Sequence, residues 1–221
     1  WVYKGEGIDL GLYAASILDQ QGVIEIGESD TAALAEVLQG KRSAIALALN
    51  HRRYEIFGTS GAWASGSVLV KWEAMFERDH PYNAGAFPNM TVVQANAVSG
   101  MLGVSYSGIE DTTVAIECGK THLLDKIDAL LFPVEQPMLM LRAMHEAMRG
   151  KLRLLVAGSA MGLKAELGWL LRAQASYQLM DALGATLGYI TYQPTERLSP
   201  FAGLTEHDRL FFRLRWDFTA R

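Results

Sequence analysis

The chain has 221 residues, a formal net charge of −4, 50% apolar side chains and a single cysteine, Cys118. That length suits one domain, no shift in composition marks a linker, and charge spread without a basic stripe excludes a dedicated nucleic-acid surface. No stretch supplies the roughly 20 consecutive apolar residues a membrane helix needs, and one cysteine excludes an internal disulfide; without an initiator Met or a leader, the chain reads as a mature form or a fragment.

Mean hydropathy is +0.09, and apolar and polar residues are interleaved rather than blocked. In lipid, only helices and closed barrels satisfy every backbone N–H and C=O, so the pattern leaves a lipid-spanning barrel or a soluble sheet protein.

In chain order, weak alternation predicts a strand over 7–18. A long connection over 19–53 follows, in which DTAALAEVLQG (30–40) has an acidic start, helix formers and a Gly stop, the marks of a short helix. Strands are expected at 54–64 and, after a Ser65-Gly66 turn, at 67–78. There Val68, Val70, Trp72, Ala74 and Phe76 face one way, and Lys71, Glu73 and Glu77 the other. A long connection over 79–91 leads to strands at 92–107 and 113–122 joined by a turn at 108–112. The 123–136 connection precedes strands at 137–148 and 152–161, joined through Arg149-Gly150-Lys151.

From Ala165 to Met180 the residues alternate at period two: Ala165, Leu167, Trp169, Leu171, Ala173, Ala175, Tyr177 and Leu179 against Glu166, Gly168, Leu170, Arg172, Gln174, Ser176, Gln178 and Met180. A helix would mix these sets, whereas a strand separates them. Trp169 and Tyr177 lie roughly 20 Å apart along the membrane normal for a strand tilted by about 40°, the spacing expected of two aromatic girdles. Asp181-Ala182 makes a tight turn into a strand that ends at Gln193-Pro194. After a loop over 193–207, the last strand sets Leu210, Phe212, Leu214, Trp216 and Phe218 against Arg209, Phe211, Arg213, Arg215 and Asp217.

These segments predict an all-β fold over 1–221: a single antiparallel up-and-down transmembrane β-barrel of about ten strands, with short turns on one side and longer loops on the other. The short connection near Gly162-Leu163 is the exception. An even strand number would leave both ends of the chain on the periplasmic side.

The ending LFFRLRWDF (210–218) resembles the C-terminal signal strand by which Gram-negative outer-membrane barrels are recognised for assembly, although three residues follow the aromatic Phe218. RRYEIFGTSGAWASGSVLVKWEAMFERDHPYN (52–83) is similar to a hairpin of uncharacterised proteobacterial barrel proteins longer than this chain. The resemblance implies the C-terminal portion of a larger barrel, an outer-membrane location, and contact with outer-membrane lipid and the assembly machinery. It implies a porin-like or export role and carries over no catalytic residue.

Under this register the lumen-facing charges are Lys71, Glu73, Glu77, Glu117, Arg142, Glu146, Arg153, Glu166, Arg172, Arg209, Arg213, Arg215 and Asp217. Near balance points to cross-strand ion pairs in a packed interior; alternatively Arg209, Arg213, Arg215 and Arg172 form a basic wall guiding anionic or polar solutes. The lipid-facing girdle residues are Trp72, Phe76, Trp169, Tyr177, Tyr189, Phe212, Trp216 and Phe218. His51, His80, His122, His145 and His207 lack metal-site spacing and read as scattered loop or strand-end residues. Glu206, His207 and Asp208 read as a solvated rim, Cys118 as a lipid-facing hydrophobe, and Met138, Met140, Met144 and Met148 as interior filling.

The expected function is a non-enzymatic, cofactor-free and metal-free outer-membrane channel or export barrel for a small solute. The alternatives are a plugged structural or adhesive barrel that binds a partner through its outer loops, and a soluble lipocalin-like carrier with reversed polarity.

Overall fold

Strands form where the period-two alternation is strongest. The computed structural model describes all residues except 21, 26–32, 34–35, 38, 42, 44–47, 86–89, 132–133, 196–200, 202–203, 205 and 219–221. The strands are β1 Val2–Gly5, β2 Ile8–Leu18, β3 Val23–Glu25, β4 Ala48–Asn50, β5 Arg53–Ser65, β6 Val68–Ala84, β7 Thr91–Ile109, β8 Thr112–Leu123, β9 Met138–Ala147, β10 Leu152–Met161, β11 Gly168–Met180, β12 Leu183–Gln193 and β13 Arg209–Trp216. Among the described residues no helix is long and apolar enough to cross a membrane. The helix expected over 30–40 falls largely outside the described residues.

Eleven of these strands form one antiparallel up-and-down sheet in the order β1-β2-β5-β6-β7-β8-β9-β10-β11-β12-β13, and β3 pairs with β4 in a separate hairpin. The sheet therefore has eleven strands rather than ten. The addition is β1, whose four residues are too few for alternation to stand out. An odd count makes β1 and β13 run in the same direction, so the expectation that both ends lie on one side is corrected. Among the described residues β1 and β13 do not pair, and the sheet has two edges where a closed ring was expected.

Tight turns gather at one end of the sheet: residues 6–7, 66–67, 110–111, 148–151 and 181–182. Gly66, with φ +55°, opens its two-residue hairpin in the positive-φ conformation that glycine adopts without steric cost. Longer connections gather at the opposite end. One of them is shorter than expected, because β6 continues to Ala84 and β7 begins at Thr91. Another correction concerns β11, which begins at Gly168; residues 162–167 form a turn, so Ala165 to Leu167 are not strand.

Directly paired residues share a face, so register traces two surfaces across the sheet. On one, Leu12 aligns with Thr59, Trp72 with Leu102, Leu102 with Cys118, Cys118 with Leu139, Val156 with Ala143 and Ala173, and Leu187 with Phe212. This surface is mostly apolar, with Thr59, Lys120, His122, His145 and the Glu55–Arg78 pair among its exceptions. The other carries most of the charges and the small polar residues. The apolar face is uncovered: Leu141 and Leu187 are each 51% exposed, and Phe212 64%.

The buried core is small and lies at the long-connection end of the polar face. Tyr82, Ala95, Ala97 and Leu123 form it, with Val93, Ile127, Leu130 and Val134 packed against them. The connection between β8 and β9 thus folds back over the face and bridges to β6 through Ala84 and Leu130. Backbone bonds from Gly85 N to Ala129 O (2.7 Å) and from Leu131 N to Asn83 O (3.0 Å) complete this cover. The β3–β4 hairpin is fastened to the same place by Asn83, whose Oδ1 accepts from Ile24 N (2.9 Å) and whose Nδ2 donates to Ile24 O (2.8 Å).

Candidate functional site

The polar face is the candidate site, because alternation aims its charges to one side. Register places Lys71, Glu73, Glu77, Glu117, Arg142, Glu146, Arg153, Arg172, Arg209, Arg213 and Arg215 there. Glu166 is the exception and is corrected. It lies in the turn before β11, where its carboxylate accepts from Lys164 N (2.9 Å), and that bond holds its pKa below the ordinary value.

Among the described residues cross-strand ion pairing on the polar face is realised by Arg153 of β10, which donates to its register partner Glu146 of β9 (2.7 Å), and a second cross-strand pair joins Arg78 of β6 to Glu55 of β5 (3.3 Å) at an apolar-face register position. Arg215 pairs with Asp217 just past β13 (2.9 Å). Arg172 instead donates to Gln174 Oε1 (3.1 Å from Nε) and stacks over the Phe211 ring, 5.4 Å from its centroid. Glu73 accepts from the Tyr13 hydroxyl (2.6 Å). Lys71 and Glu117 flank Gly103 on one rung without forming an ion pair among the described residues. The face is polarised: Arg172, Arg209, Arg213 and Arg215 occupy β11 and β13, while Glu73, Glu77 and Glu117 occupy β6 and β8.

At the long-connection end a bulge redirects β6. Glu77 pairs with Ala97 and His80 with Ala95, so Arg78 and Asp79 oppose Asn96 alone. Asp79 takes φ 56°, and its N–H donates to Asn96 Oδ1 (3.2 Å). Asn96 N in turn donates to Asp125 of the covering connection (2.7 Å). An extra residue reverses side-chain parity beyond it, so His80 and Tyr82 point to the same face as Glu77. His80 lies between Tyr54 and Tyr82, ring centroids 4.3 and 4.5 Å away, with Nε2 3.7 Å from Glu77 Oε2. Ser99 donates to the other Glu77 oxygen (3.1 Å) and bonds Thr121 (2.9 Å). His80 is therefore a strand residue packed inside, not the scattered loop or strand-end residue that spacing predicted. His122 is the penultimate residue of β8, a strand-end position as expected, and His145 stands two residues before the end of β9. The bulge is the missing signal, and parity counted from Phe76 hides it.

Around the rim, Asp208 is more than a solvated acid. Its carboxylate accepts from Tyr192 N (2.9 Å), Thr191 Oγ1 (2.7 Å) and Tyr189 OH (3.0 Å), latching the start of β13 to β12. The backbone donor, then the two hydroxyls, hold its pKa below the ordinary carboxylate value. Glu135, in the covering connection, is lowered likewise by Leu123 N and then His122. Glu206 and His207 are exposed.

The girdle residues Trp72, Phe76, Trp169, Tyr177, Tyr189, Phe212 and Trp216 all occupy the apolar face by register, whereas Phe218 follows the end of β13. Trp169 and Tyr177 stand toward opposite ends of β11. Cys118 is exposed on the apolar face beside Leu139. Met138, Met140 and Met144 take polar-face positions, but Met148 lies in a turn at φ 55° and is 63% exposed. No protein-family model matches the chain, and no curated protein matches its sequence.

Proposed function

We propose that the chain forms the wall of a Gram-negative outer-membrane β-barrel of porin-like type that passes or exports a small solute without catalysis. The observation that carries this reading is the uncovered apolar face running across all eleven strands of one sheet layer. A soluble sandwich or carrier buries its apolar surface against a second layer or inside its own cavity. Here the apolar row stands exposed, while the face opposite holds most of the charges. Lipid is the solvent that suits the first, and a lumen suits the second. Aromatic residues at both ends of the apolar face support an interfacial placement, and the terminal row Leu210 to Phe218 fits recognition by the assembly machinery.

The test is reconstitution into planar bilayers. A folded, heat-modifiable chain with discrete conductance steps is expected. A monodisperse monomer purified without detergent overturns the membrane reading and leaves the soluble carrier.

A second reading, a plugged structural or adhesive barrel, is favoured by the packed cover of Ile127, Leu130 and Val134 over the polar face. Electrical silence from a folded, heat-modifiable chain would select it over the channel.

A further inference from the structure

The methionines are sorted by face. Of the nine in the chain, Met75, Met101, Met138, Met140, Met144 and Met161 all occupy polar-face register positions, opposite the leucines, valines and tryptophans. A face serving only as an aqueous wall has no need of them.

Register then brings three of them onto one rung. Met101 pairs with Gly119, Gly119 with Met138, and Met138 with Met161, so residues sixty positions apart in the chain line up across β7, β8, β9 and β10. Gly119 leaves the centre of that rung without a side chain; a Cβ there would sit 3.3 Å from Gly100 O and 3.8 Å from Met101 Cβ. The gap opens into a cavity of about 370 Å³ lined by Met75, Met101, Met138 and Met161, with Val134 and Gln136 of the covering connection above it. Its volume falls in the range of small-molecule sites, which are mostly apolar with a few polar groups. Met101 and Met138 keep 37% and 38% exposure, so the space is reachable.

Two charged residues, Glu73 and Lys120, reach its lining, at its margin rather than at the methionine floor. Glu73, at the edge, is engaged by Tyr13 on the side away from the methionines, and Lys120 takes an apolar-face register position opposite Gly100. Ser99 and Thr121 satisfy one another at the border. Unbranched, polarisable thioethers adapt to irregular apolar shapes better than branched side chains do.

We infer that this methionine-lined cavity binds a small, predominantly apolar organic molecule, which names the solute class of the barrel proposed above and rests on the polar face being its interior. The rung of Met101, Gly119, Met138 and Met161 forms the floor, and Val134 lines the space from the loop side.

The test uses the full chain folded into phosphatidylcholine vesicles and a diazirine-bearing decan-1-ol as photoaffinity probe, with labelled residues located by mass spectrometry. Saturable labelling at Met101, Met138 or Met161, competed by unlabelled decan-1-ol, is expected. Met101→Gln/Met161→Gln replaces two thioethers by amides of similar shape and should weaken labelling about tenfold, because an amide is costly to bury without a partner. Met138→Gln alone serves if the double variant does not fold, which heat modifiability reports. A folded, inserted chain labelled only at Leu102, Leu139 or Leu141, and indifferent to these variants, overturns the cavity assignment while the barrel stands. A chain that does not insert overturns the barrel reading and this inference with it.

Discussion

Val156→Arg is the most direct test of which face meets lipid. Val156 is 50% exposed and sits near the middle of β10, on the apolar face between Ala143 and Ala173. It lies about 13 Å along the strand from Leu152, which a tilt of about 40° projects to ~10 Å of depth, close to the midplane of an apolar band ~25 Å tall. An arginine there should cost about 2–4 kcal/mol. The neighbour Leu155 pairs with Met144 and Gln174 on the opposite face, and Leu155→Arg should cost only about 1 kcal/mol, since the charge would meet polar groups and water. Reversible guanidinium unfolding from phosphatidylcholine vesicles, followed by tryptophan fluorescence, measures both. A cost below ~1 kcal/mol for Val156→Arg, the value for a water-exposed strand position, together with a larger cost for Leu155→Arg, would refute the assignment of faces.

Three further outcomes are expected. Gly61→Val should destabilise the sheet by about 1–3 kcal/mol, because a Cβ at Gly61 would overlap the Trp72 indole that lies across it and overpacking forces a shift; a displaced Trp72 emission maximum in the same variant checks the cause. Arg153 and Glu146 are half-exposed, so a double-mutant cycle should return a coupling of only ~0.2–1 kcal/mol, and a much larger value would show a drier interior than this geometry implies. The Asp208 latch should be acid-labile. Its pKa is lowered in the folded chain, so its contribution is present above the ordinary carboxylate value and is lost as pH falls through the lower, folded one. Hydrogen exchange at Tyr192 N–H should accelerate across that window in the natural chain, and Asp208→Asn should remove the pH step; protection unchanged by acid would sink the latch.

Much of this architecture is local, and so it was open to inspection in the sequence. Alternation at period two decides which side chains share a face within a strand, and it assigned Lys71, Arg142, Arg172 and Arg213 to one surface and Trp72, Trp169 and Trp216 to the other. It failed where locality fails. Glu166 follows the same alternation as Arg172, yet the chain turns there through Gly162 and Ala165 at positive φ before β11 begins. His80 reads as a scattered loop or strand-end residue until the Arg78–Asp79 bulge reverses its parity, and a bulge is defined by the partner strand rather than by its own sequence. Four residues of β1 carry too little pattern to be recognised, so the strand count, and with it the direction of the last edge, came out one short.

The sequence by itself determined that this is an antiparallel β protein with one apolar and one charged face, because side-chain alternation is a property of each strand alone. Only the tertiary structure decided which residues stand side by side. Register between β7, β8, β9 and β10 is set by turns and by the packing of whole faces, and it alone brings Met101, Gly119, Met138 and Met161 onto one rung.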